Sequence, residues 1–278
     1  MFKREEVFLA FDTEYFSLGY LDALSYQDTL IHRLDPRVKL LVTMAFIVTV
    51  ISFPKYDLSG LVPLLIFPAV LVIAGEIPIG FILKKILIVS PFALFIGIFN
   101  PLLDRTPLLY AFGLPISGGW MSFVSVMAKF LLTISSGLLL IATTSFPGVC
   151  HALRRLGLPE VFVAQLIFLY RYIFVLLEET MKIVRARDVR SFGNRGRDMK
   201  TFTSLVSIMF IRTMDRSERI YQAMLSRGFN GNLMSTKRYA LSFFDIIFAV
   251  IAVSVFLLLR QYNIVMIIGT QVTGRFLP

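Results

Sequence analysis

Five long apolar runs dominate this sequence, at residues 38–53, 58–74, 86–103, 121–146 and 240–259. Each approaches the roughly 20 apolar residues that a helix needs to cross a hydrocarbon layer of about 30 Å. The rest of the composition agrees: 56% of the 278 residues are hydrophobic, 27 are Phe, and the mean hydropathy is +0.76. A water-soluble domain rarely carries that load, so the bilayer is the expected solvent. The expected fold is an all-α integral membrane protein with about five transmembrane helices and further long amphipathic helices on the cytoplasmic side.

The first run is the shortest. Lys39 stands at its mouth, where it is expected to snorkel to the headgroups, and Pro54-Lys55-Tyr56-Asp57 closes a tight hairpin into the second run. Pro63, Pro68 and Pro91 lie inside runs, where neighbouring helices can satisfy the freed carbonyls. The N-terminus, Met1-Phe2-Lys3-Arg4-Glu5-Glu6, shows no apolar core with a small-residue cleavage site and is expected to be retained. The single Cys150 excludes an intrachain disulfide framework.

The net charge of +10 raises the question of nucleic acid, but its placement answers otherwise. Residues 181–238 hold 13 Lys or Arg against four acids, which is nine of the ten excess charges. A basic block beside apolar runs fits a membrane face, and no nucleic-acid partner is expected. A sixth apolar run, 161–177, decides the orientation. Arg171 stands in its middle; crossing there would cost several kcal/mol (roughly 3 or more) and would put the basic block opposite Arg33, Arg37 and Lys39. Laid along the surface instead, the run leaves four spans before the block, so Arg33, Arg154-Arg155 and the block share the cytoplasm with the N-terminus. The fifth span then carries the C-terminus outside.

From Pro159 to about Arg190 no Gly or Pro interrupts the chain, and Arg171, Glu178, Lys182 and Arg185 recur on one helical face. Glu178 to Lys182 is the favourable i, i+4 order. The glycines of 191–196 mark a turn. A second helix, from about 199 to 226, carries Arg212, Arg216 and Arg219 on one face, with Asp215 to Arg219 as a further i, i+4 pair and Gly228 as its C-terminal cap. Two antiparallel helices with arginine-rich tips make a lever, and the plain alternative for the arginines is anionic lipid headgroups.

Three stretches carry a family resemblance: His32-Arg33-Leu34-Asp35-Pro36-Arg37-Val38-Lys39-Leu40, Leu153-Arg154-Arg155-Leu156-Gly157-Leu158-Pro159, and 216–229 from Arg216-Ser217-Glu218-Arg219 to Arg227-Gly228-Phe229. Together they resemble the transmembrane T component of energy-coupling factor (ECF) importers, cobalt-type, over almost the whole chain. The resemblance implies two coupling helices, each ending in an Ala-Arg-Gly-like triplet whose arginine docks in a groove of an ATPase subunit. The matching triplets are Ala186-Arg187-Asp188 and Ser226-Arg227-Gly228. Asp188 stands where the family has glycine and Ser226 where it has alanine, while both arginines are kept. A guanidinium offers a planar fork that lysine lacks, so lysine should be a poor substitute at either place.

The resemblance further implies a dimer of ABC-type ATPase subunits that uses ATP and Mg, and a substrate-binding membrane S component for cobalt or nickel. The apolar runs and the basic block divide the chain into an N-terminal cytoplasmic segment (1–37), a four-helix transmembrane region (38–146), a coupling-helix region (147–238) and a last span with tail (239–278). The sequence has no G-x-x-x-x-G-K-[ST] loop and no H-E-x-x-H or paired-cysteine motif. No catalytic residue, metal site or cofactor is therefore expected on this chain. Cys150-His151 is the one soft-ligand pair, but neighbours on a helix point about 100° apart, and a structural role is expected. Lys129 is expected to snorkel outward, Asn100 and Asp104 to cap or turn, Trp120 to anchor at the interface, and Asp245 to stay near the headgroups. Nickel or a vitamin remains an alternative cargo. A secondary transporter would show inverted repeats and mid-membrane acids, and a membrane enzyme would show His, Cys or acid clusters; neither pattern is present.

Overall fold

Asp35-Pro36 specifies a helix start, because proline suits a first helical position and the aspartate can accept from the freed N–H groups that follow. The computed structural model describes residues 22, 24–103, 107–111, 114–190, 199–229 and 241–262. In it a single turn, α1 (Leu30–Arg33), precedes α2 (Pro36–Ser52), and Asp35 Oδ1 accepts from the Arg37 N–H at 2.9 Å. A 3₁₀ turn, Pro63–Leu65, leads into α3 (Ile66–Ala74), followed by α4 (Ile79–Gly97) and α5 (Phe99–Leu103). A hairpin of β1 (Pro107–Ala111) and β2 (Leu114–Ser117) pairs antiparallel from Pro107↔Ser117 to Ala111↔Leu114, the only sheet among the described residues. Then come α6 (Gly118–Thr143), α7 (Phe146–Arg155), α8 (Glu160–Arg190), α9 (Met199–Leu225) and α10 (Phe243–Gln261). Helix dominates as the sequence implies. The chain forms two compact units, one of Met1–Gly19 with Leu153–Arg238 and one of Tyr20–Ala152 with Tyr239–Pro278.

The second unit is a helical bundle built around α6, which packs against α2, α3, α4 and α5. The buried face of α6 alternates small residues, Ser122, Ser125, Ser135, Ser136 and Ala142, with Leu132, Leu139 and Leu140; small residues are favoured where helices pack within lipid. From α2, Val38, Val42, Phe46 and Val50 enter the core at steps of four, one face of a helix. Phe46, Phe67 and Phe256 then join α2, α3 and α10, with ring centroids 4.6, 5.3 and 5.1 Å apart.

Four helices among the described residues are long and apolar enough to cross a membrane: Ile79–Leu102, Gly118–Thr143, Glu160–Arg187 and Phe243–Gln261. The first run matches α2, whose 17 residues span about 25 Å. The second run is helical only over Pro63–Ala74, because Asp57 Oδ1 accepts from Ser59 Oγ and the Gly60 N–H, both at 3.0 Å, and holds the chain in a turn before Pro63. The third begins at Ile79, earlier than its apolar run, with Lys84 and Lys85 inside the helix. Pro91 does not break it; the Ser90 hydroxyl donates at 2.8 Å to Leu87 O, the carbonyl the proline leaves free. Asn100 lies within α5 rather than in a turn, and Asp104 falls outside the described residues. By length and composition α8, which holds the sixth run, also qualifies as a span.

The bundle shows what holds Lys39, Asp245, Lys129 and Arg260. Lys39 does not snorkel: it is 6% exposed, and its Nζ donates to Thr143 O at 2.8 Å and His32 O at 3.3 Å. It caps the C-terminus of α6, where carbonyls lack helical partners and a cation is favoured. Asp245, one turn into α10, is buried in the bundle, 3% exposed. Its Oδ2 accepts from the Ser242 N–H at 2.8 Å and its Oδ1 from the Asp35 N–H at 3.1 Å, which ties the starts of α10 and α2 together. Lys129 donates at 2.6 Å to Phe53 O, at the C-terminus of α2. Arg260 reaches the same helix end, donating to Ser52 O at 3.1 Å and lying 4.9 Å over the Phe53 ring.

Candidate functional site

The first unit presents the candidate site. Its helices α8 and α9 have 31 and 27 residues, about 46 and 40 Å long, and their bounds match the sequence expectation to within a residue or two. They pair antiparallel. The Phe168 ring lies 6.3 Å from Phe229, the Thr180 hydroxyl 3.2 Å from the Met209 sulfur, and Arg212 Nη1 3.2 Å from Glu179 Oε1. Arg171, Glu178, Lys182 and Arg185 are all exposed on α8, and Glu178 and Lys182 form the expected ion pair at 2.8 Å. Asp215 and Arg219 do not pair: among the described residues Asp215 makes no ion pair, and Arg212 instead reaches across to α8. The turn at 191–196, with Arg195 and Arg197 near it, lies outside the described residues.

The two triplets end their helices differently. Ala186, Arg187 and Asp188 all lie inside the last turns of α8, which continues to Arg190; Ala186 is exposed and Arg187 half-buried. Where the family pattern has glycine, Asp188 keeps helical backbone, so the helix runs on past the arginine. At the other triplet the helix stops at once. Gly228 has φ +79, its N–H bonds Leu225 O at 2.9 Å and the Phe229 N–H bonds Met224 O at 3.0 Å. These are the two hydrogen bonds of a Schellman cap with Gly228 at its left-handed position, and they leave Arg227 exposed at the helix boundary. The expected cap is present. Ser226 Oγ donates at 2.9 Å to Gln222 O, so the serine that replaces alanine serves its own helix.

Antiparallel pairing sets the triplets apart. Arg227 lies beside the Phe168 level of α8, and Arg187 lies nineteen residues further along that helix, a separation of roughly 30 Å at 1.5 Å per residue. The structure does not bring the triplets together; it presents them at opposite ends of one hairpin.

A feature the sequence reading missed lies at the α7 C-terminus. Gly157 has φ +108, its N–H bonds Arg154 O at 3.2 Å, and the Leu158 N–H bonds Leu153 O at 3.1 Å, the same cap as at Gly228. Arg154 pairs with Glu160 across the connection to α8. The signal was present in Gly157-Leu158-Pro159, a glycine after a helix with proline just beyond. Among the described residues no group of three or more His, Cys, Asp or Glu could hold a metal ion. Burial pushes the Cys150 thiol up to about 11, so it stays protonated at neutral pH.

The family model described as "Cobalt transport protein", CbiQ, matches residues 27–240. The chain belongs to the CbiQ family. This CbiQ-family chain is also similar to proteins named energy-coupling factor transporter transmembrane protein EcfT. The one from Ruminiclostridium cellulolyticum is 27% identical over 79% of this chain and 88% of its own length. That from Thermosediminibacter oceani is 29% identical over 76% and 84%, and that from Bacillus subtilis 27% identical over 75% and 84%. The match runs from α1 to α9 and covers both arginine triplets, so the T-component resemblance of the sequence holds, and the chain is an ECF energy-coupling component embedded in a membrane.

Proposed function

We propose that this chain links a pair of ABC-type ATPase subunits to a substrate-binding membrane S component in an ATP-driven importer, with cobalt as cargo. The carrying observation is the α8–α9 hairpin, a pair of helices that holds Arg187 and Arg227 roughly 30 Å apart at opposite ends. Two well-separated arginines suit two ATPase subunits, one triplet for each. ATP and Mg are used by those subunits, and this chain contributes no catalytic residue. Closure of the ATPase pair moves the arginine tips, and the long helices carry the motion to the S component. In this reading the N-terminus and the basic block face the cytoplasm of a prokaryotic plasma membrane. The cobalt assignment is supported by the description of the family model.

The test replaces Arg187 or Arg227 with Glu in the complete transporter. Either variant should insert in the membrane at the wild-type level yet lose the ATPase subunits in pull-downs, and cobalt uptake should fall to background. Uptake retained in both variants rejects the mechanism. A second reading of the cargo is favoured by the relatives, whose name EcfT specifies no substrate. Uptake of labelled nickel or a vitamin, with no uptake of cobalt, would establish it.

A further inference from the structure

A trough of about 520 Å³ runs between α8 and α9, walled by Ala164, Phe168, Leu176, Ile220, Met224 and Phe229. It shares Val175, Leu176, Thr213 and Arg216 with a smaller hollow of about 250 Å³, where Arg212, Arg216 and Arg219 meet Glu179 and Asp215. One space is therefore apolar along most of its length and charged at one end. Two of the local acids are already engaged, Glu179 by Arg212 at 3.2 Å and Glu178 by Lys182 at 2.8 Å. Three arginines and the two acids Glu179 and Asp215 line the hollow, an excess of one positive charge, and Arg216 also acts on the nearby Glu178.

We infer that this trough binds one acyl chain of an anionic phospholipid, with the phosphate held at Arg216 and Arg219. Charge complementarity chooses the headgroup, since two guanidiniums against one carboxylate suit a singly charged phosphodiester, and arginine binds phosphate through paired N–H donors. Size chooses the chain. Two turns of helix about 10 Å wide and 11 Å long occupy roughly 850 Å³, more than the trough offers, whereas an acyl chain is narrow and flexible. The bilayer supplies that chain in excess, so modest affinity is enough to fill the site. This assignment does not depend on transport, and its test reads lipid rather than uptake.

The full chain is placed in nanodiscs of equal phosphatidylglycerol and phosphatidylcholine, each carrying in turn a photoactivatable acyl chain, and adducts are mapped by mass spectrometry. Adducts should fall on Phe168 and Met224, with phosphatidylglycerol favoured about five-fold, the effect of about one basic residue near an anionic surface. The double variant R216Q/R219Q should keep the adducts and lose the preference. A164W fills the trough and should lose adducts from both lipids; M224W serves as a second plug, and circular dichroism verifies that each retains its helices. Adducts scattered over the apolar surface, no headgroup preference in the wild type, or adducts unchanged by both plugs would overturn the assignment. So would a trough that crosslinks to a partner's helix in the assembled transporter and excludes lipid.

Discussion

The bundle and the α8–α9 hairpin both carry basic residues, and they use them in opposite ways. In the bundle Lys39, Lys129 and Arg260 are turned onto the carbonyls at helix ends, Thr143 O, Phe53 O and Ser52 O. In the hairpin Arg171, Arg216 and Arg227 are exposed, and no residue of α9 is buried. A cation spent on a helix terminus is a structural part; one left on a surface is available to lipid, protein or anion. The difference teaches that a membrane protein's positive charges cannot be read as one population.

Removing a bundle charge should therefore cost far more than removing a hairpin charge. Asp245→Ala would leave the Ser242 and Asp35 N–H groups without their acceptor. At about 1–3 kcal/mol for each unsatisfied buried group, the loss is about 2–6 kcal/mol, visible as a large drop in melting temperature in detergent. Lys39→Met comes next: it leaves Thr143 O and His32 O unpaired and should cost about 2–3 kcal/mol. If either variant melts with the wild type, the bundle charges are not structural and the contrast fails.

A smaller effect is expected where the hairpin itself depends on backbone geometry. Gly228→Ala places a side chain at φ +79, a penalty of about 1–2 kcal/mol. The Schellman bonds should open and the last turn of α9 should fray. Hydrogen exchange at positions 228 and 229 should accelerate while the bundle amides stay unchanged, and if the proposed docking holds, ATPase binding should weaken with it.

These cases show what the sequence displayed and what it hid. Periodicity and uninterrupted runs fixed α8 and α9 almost to the residue, and the glycine at 228 announced its cap. The roles of Lys39 and Asp245 were hidden because each has one partner that is a backbone atom more than a hundred residues away; hydropathy places a charge near a span end but does not say which helix end it will meet. The turn at Asp57–Gly60 was hidden by the apolar residues around it, which lengthened an apparent span that is only partly helical. At the candidate site the arginines were legible, but their separation was not, since it follows from the pairing of Phe168 with Phe229 and not from either helix alone.

The pH dependence should follow the bundle. Thr29 Oγ1 lies 2.7 Å from His32 Nδ1 and Ala142 O lies 3.4 Å from Nε2. Burial, with Lys39 adding to it, holds the imidazole below its ordinary pKa against the opposing pull of the Ala142 carbonyl and Asp28. The folded state thus takes up a proton less readily than the unfolded chain. This stability is fully present above the ordinary histidine pKa of about 6.5 and is lost as the pH falls through the depressed folded value. Melting temperature should decline on acidification below that range, and His32→Gln should flatten the decline.

The smallest effect belongs to the hairpin pair Glu178–Lys182, at 2.8 Å but with side chains 58% and 63% exposed. Each partner holds the other in its charged form, the carboxyl lowered and the ammonium raised, chiefly through their hydrogen bond. Exposure and salt screen most of that attraction. Lys182→Ala should leave the melting temperature unchanged at physiological ionic strength, with only a slight loss of α8 stability at low salt. A drop as large as that of Lys39→Met would mean that hairpin charges also hold the fold, and the division between structural and available cations would collapse.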